Sequence, residues 1–131
     1  MAKQTDLFLT RNYRIETVEI TNTAATTIFV AGADDSKVNA IAAVCDNTYR
    51  GLTLFISKAG VDYQIGSTET NGGNGFDSLT PTLNLLNKSN LPFLPVDSND
   101  NPYLILAAGC SLKLKNESSA QTIVTVFGED F

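Results

Sequence analysis

From Leu52 to Thr68 the chain reads as two runs of alternating character joined by only two residues, Ala59-Gly60. In the first run Leu52, Leu54 and Ile56 point one way, and Thr53, Phe55 and Ser57 the other. In the second, Val61, Tyr63 and Ile65 alternate with Asp62, Gln64 and Gly66. A side-chain period of two belongs to a β-strand, and a two-residue connection leaves room only for a tight antiparallel hairpin. The alternation implies one face packed inward and one more polar face.

The rest of the chain repeats this pattern. β-Branched and aromatic residues cluster between turn signals at Arg14–Thr21, Thr26–Ala31, Lys37–Cys45, Tyr103–Ala107, Ser111–Lys115 and Thr122–Phe127. Short strands at close spacing, with turn residues throughout, specify an all-β protein. About eight strands with one long loop-rich crossing suit a jelly-roll-like β-sandwich of two sheets. That crossing runs from Glu69 to Pro102. It holds the Gly-rich stretch Asn71–Gly75, and a short helical turn is open to the residues after Pro81. Prolines keep Leu91-Pro92-Phe93-Leu94-Pro95 from being an internal strand. The length of 131 residues fits one domain, read as residues 13–131 behind an N-terminal arm of residues 1–12. The terminal Gly128-Glu129-Asp130-Phe131 reads as a short acidic end.

The residue inventory argues against chemistry. There is no histidine, so the usual general acid–base group and the commonest zinc ligand are missing. No catalytic residue, metal site or cofactor is assigned, and the chain is read as not an enzyme. Asp97, Asn99 and Asn101 occupy calcium-loop spacings, but Pro102 stands where the sharp-turn glycine belongs, so an Asx-rich turn is the better account. With a net charge of −5 and nine scattered basic residues, nucleic acid is not an expected partner. No apolar run approaches the ~20 residues of a membrane span, and no secretory leader is evident at the start. Cys45 and Cys110 each sit beside small apolar residues and are read as buried thiols, a disulfide requiring that folding bring them together.

Two segments stand out as contact elements. Leu7-Phe8-Leu9 is the apolar part of the arm, either tucked against the body or held by another chain. Leu91, Phe93 and Leu94 sit on the proline-stiffened connection. They either cap one end of the core or form an exposed apolar patch suited to docking a protein.

The order of segments also carries a resemblance. The hairpin Leu52–Tyr63 and a Gly-rich loop are followed by Leu85-Leu86-Asn87, Leu91-Pro92, Leu94-Pro95-Val96-Asp97 and Asn101-Pro102-Tyr103-Leu104-Ile105-Leu106. Ala108-Gly109-Cys110-Ser111-Leu112-Lys113-Leu114-Lys115 and Phe127-Gly128-Glu129-Asp130-Phe131 complete the series. From about Thr26 onward the chain resembles small structural proteins of tailed-bacteriophage head gene clusters, in particular jelly-roll decoration, or cement, proteins. The resemblance implies a place on the outer surface of a virion capsid, after synthesis in a bacterial cytoplasm. It implies the major capsid protein as partner. Self-association as a dimer or trimer is expected alongside it, and Leu7, Phe8, Leu9, Leu91, Phe93 and Leu94 are the expected contact residues. The same sandwich type serves in tail and fibre proteins and in carbohydrate-binding modules, where Tyr49, Tyr63 and Tyr103 would stack on sugars.

Overall fold

A computed structural model describes residues 12–46, 50–70, 75 and 81–131. Nine strands run in chain order: β1 (Asn12–Ile20), β2 (Thr26–Val30), β3 (Ser36–Cys45), β4 (Gly51–Lys58), β5 (Val61–Glu69), β6 (Leu83–Asn84), β7 (Leu104–Leu106), β8 (Cys110–Asn116) and β9 (Thr122–Asp130). They form two antiparallel sheets. The larger has the order β1-β9-β3-β6, with β7 also on β3; the smaller has the order β2-β8-β4-β5. From β1 to β4 each strand crosses to the other sheet, which is the winding of a jelly roll.

The two shortest strands share one position. β6 pairs with Ala42–Ala43 and β7 with Ser36–Val38, both antiparallel to β3. They are the two halves of a single interrupted strand, so nine segments fill eight positions. Residues 85–103, with Pro92, Pro95 and Pro102, make the interruption, since proline cannot donate to a ladder.

The core lies between the sheets. Val38, Ile41 and Ala43 of β3 and Val124 and Val126 of β9 face Leu52 and Leu54 of β4 and Leu112 and Leu114 of β8. At one end Arg14 ties the sheets together. Its guanidinium lies 4.1 Å from the centre of the Phe29 ring and donates to the Val30 carbonyl and, at 2.9 Å, to Asp130 Oδ1. The Ser36 hydroxyl donates to the same carboxylate at 2.6 Å.

The hairpin forms in the expected register, with Lys58 opposite Val61 around Ala59-Gly60. A bulge between Leu54 and Phe55 shifts it further along. Val61 and Tyr63, expected on a packed face, are half-exposed, because β5 is an edge strand. Ala59 and Gly60 have φ of 52° and 79°, the double left-handed geometry of a type I′ turn. Alanine tolerates that conformation poorly. Ala59→Asn is expected to raise stability by about 0.5–1 kcal/mol in thermal unfolding, since Asn-Gly is the preferred pair in this turn.

Two expectations need correction. No helix occurs among the described residues; the chain after Pro81 enters β6 instead. β9 continues through Asp130, so the acidic end is strand. The reading of Cys45 and Cys110 as buried thiols holds: both are free and buried, at opposite ends of the sandwich. Cys45 pairs with Thr122 at one end, and Cys110 with Lys58 at the other.

Candidate docking surfaces

The charged groups nearest the interior are occupied with holding the fold. Arg50 precedes β4, and its side chain is 1% exposed. Its guanidinium donates to Thr122 Oγ1 at 2.7 Å, to the Gln121 carbonyl at 2.5 Å and to Asp46 Oδ1 at 2.9 Å. Beside it, burial pushes the Cys45 thiol above its ordinary pKa, although Arg50 pulls the other way. That environment opposes formation of a reactive thiolate. Asp130 is held below the usual carboxylate range, first by the Ser36 hydroxyl and then by Arg14. Asp97 is likewise lowered, because its carboxylate accepts the backbone N–H groups of Asn101 and Asn99. That is the Asx turn expected from the sequence. Among the described residues no three His, Cys, Asp or Glu side chains gather as a metal site. A cavity lined by Leu52, Leu54, Leu85 and Leu91 has a volume of about 10 Å³, the lower limit for a single water.

The surfaces carry more information. The first is the loop after β6. Leu91 and Leu94 are each 1% exposed and belong to the core, so neither offers a side chain to a partner. Gly66 on β5 makes this possible: a Cβ there would lie 2.5 Å from Leu91 Cδ2. The Leu94 N–H donates to the Leu91 carbonyl at 3.2 Å, closing a turn with Pro92 and Phe93 at its apex. Phe93 is 59% exposed, flanked by exposed Pro92, Pro95 and Val96. Of the three residues singled out on this loop, two are therefore roots and one is the tip. Spacing alone could not separate them.

The second surface went unrecognised in the sequence. On the outer face of the larger sheet, cross-strand rows read Ile15–Phe127–Ala40, Thr17–Thr125–Ala42 and Glu19–Ile123–Val44. Ile15 is 64% and Phe127 40% exposed. Charges stand only at the ends of this face, Glu129 and Lys37 at one and Glu19 at the other. The signal was present in β9, where Ile123 and Phe127 alternate with Val124 and Val126, so both faces of the strand are apolar. The outer face of the smaller sheet differs: it carries Lys113, paired with Asp62 at 3.3 Å, and Lys115, 3.8 Å from Glu117.

Leu7, Phe8, Leu9 and Tyr49 lie outside the described residues. Tyr63 and Tyr103 do not form one stacking platform. Tyr63 is on the edge strand of the smaller sheet, whereas Tyr103 precedes β7 on the larger one and has the Lys37 ammonium 4.8 Å from its ring centre. Compared with protein-family models, with curated proteins and with solved structures, the chain has no match.

Proposed function

We propose that this protein is a structural component of a virion, a capsid decoration protein that works by protein–protein docking rather than by chemistry. The observation that carries the reading is the Phe93 tip. An exposed aromatic residue on a two-proline turn, rooted by two core leucines, is pre-organised for a protein surface. Little ordering entropy remains to be lost on binding. A protein of this kind stabilises a shell by mass action, because it binds assembled subunits and not loose ones. The resemblance of the segment order to phage cement proteins names the shell as the partner class. The uncharged face of the larger sheet adds a second place for association.

The test uses shells of the phage whose genome carries the gene, mixed with purified protein and sedimented. Phe93→Ser is expected to weaken co-sedimentation at least about tenfold while leaving the melting temperature unchanged, since the side chain contributes little to the core. Undiminished binding by this variant would remove the tip from the docking surface.

A further inference from the structure

Tyr13, Ile15, Ile105 and Phe127 are exposed, large and apolar, and all four share the outer face of the larger sheet. Apolar side chains gathered on one face mark a contact surface. Its shape and its charge both say what fits it. Along β9 the outward residues are Phe127, Thr125 and Ile123, and beside them on β3 stand the smaller Ala40, Ala42 and Val44. The face is therefore a ridge next to a trough. At one end, a row across the strands reads Tyr13–Glu129–Lys37–Ile105, apolar residues flanking an acid and a base. Read backwards, the row has the same plan with the charges exchanged.

Both features match a second copy turned about a twofold axis that runs along the strands, between β9 and β3. Face-to-face sheets pack with their strands near alignment, about 10 Å apart. The rotation lays β9 of each copy over β3 of the other. Phe127 then falls over Ala40, Thr125 over Ala42 and Ile123 over Val44, and each contact occurs twice. Ridge enters trough, as close packing requires. Tyr13 falls over Ile105, and Glu129 over Lys37 of the second copy. Glu129 and Lys37 are already neighbours within each chain. The stack keeps that pairing and adds the same pairing between copies, a square of alternating charges. An axis across the strands would instead stack ridge on ridge. It would also set Glu129 over Ile123, a charge against an apolar side chain.

The size is sufficient. Four strand positions and the six steps from Glu129 to Ile123 give a face of about 19 Å by 20 Å. With side-chain relief counted, two such faces remove on the order of 1,000 Å² from water, the lower bound for a specific interface.

We infer that the outer face of the larger sheet pairs with the same face of a second copy, about a twofold axis along the strands, to make a dimer. The inference rests on reading this face as a docking surface. Its test uses the isolated protein and no shell, so its failure and the failure of shell binding are separate results.

Light scattering behind size exclusion, with the full-length protein at on the order of 100 µM, is expected to show a dimer. Phe127→Asp is expected to weaken it about a hundredfold. Ile15→Asp alters an exposed residue of an edge strand. It should weaken the dimer about tenfold with the melting temperature unchanged, which separates lost docking from lost folding. The charged row gives the sharpest result. Glu129→Lys and Lys37→Glu each break the pairing within the chain and set like charges together between copies, so each alone should associate about tenfold more weakly. Mixed in equal amounts, the two variants should form a heterodimer within about threefold of the original affinity. In that mixture the pairing within each chain is still broken, so recovery can come only from contact between copies. Deleting residues 2–11 should leave the dimer intact. A monomer or trimer, undiminished association of Ile15→Asp, loss of the dimer on the deletion, or no recovery on mixing would overturn the inference.

Discussion

Arg50→Met is expected to lower the stability of the sandwich by about 3 kcal/mol. Removing the guanidinium leaves the Thr122 hydroxyl and the Gln121 carbonyl without their donor, and Thr122 is fully buried. A buried acceptor left unpaired costs about 1–3 kcal/mol. Asp46 moderates the loss, since its side chain is about one-third exposed and regains water, placing the total at the low end for a broken buried pair. The expected reading is a melting temperature lower by about 10 °C. Arg50→Lys should fall between, because an ammonium keeps the charge but cannot reach three acceptors as a planar fork. A loss below about 1 kcal/mol for methionine would mean that this node does not hold β4 to β9.

The second large effect is at the root of the loop that carries Phe93. Leu94→Ala removes a side chain with 1% exposure from a packed core. Deletions of this kind cost about 2–5 kcal/mol, because a cavity remains after the apolar contacts are lost. About 3 kcal/mol is expected in urea unfolding. Shell docking should weaken too, since the turn that carries Phe93 loses one of its two anchors. The contrast with Phe93→Ser is informative: the tip variant should lose docking alone, and the root variant both stability and docking. Equal stability of the two variants would contradict the division into roots and tip.

The strands and the two-sheet architecture were legible because alternation is a local signal. Leu52, Leu54 and Ile56 against Thr53 and Ser57 needed no distant partner to be read. The broken β6–β7 position was not legible, because its halves are some twenty residues apart and recognise each other only through β3. The extension of β9 was hidden by Gly128, which looks like a turn residue. Its reason is tertiary: a Cβ there would lie 3.0 Å from the Phe29 ring and 2.8 Å from the Lys37 carbonyl. Arg50 carries no sequence signal at all, since two of its acceptors, Gln121 and Thr122, lie more than seventy positions away. Within the loop after β6, Leu91, Phe93 and Leu94 were read together as one apolar group, although Leu91 and Leu94 belong to the core and Phe93 is exposed. Which of them face the core depends on the gap above Gly66, and no local pattern reports that gap.

The central claim, a shell-covering structural protein, is tested most directly by its copy number in purified virions, measured by quantitative mass spectrometry against the major capsid protein. The account predicts a ratio near a simple fraction of the capsid protein, as symmetric occupancy of a shell requires. A few copies per particle would place it in the tail or collar instead, and absence from virions would contradict the account.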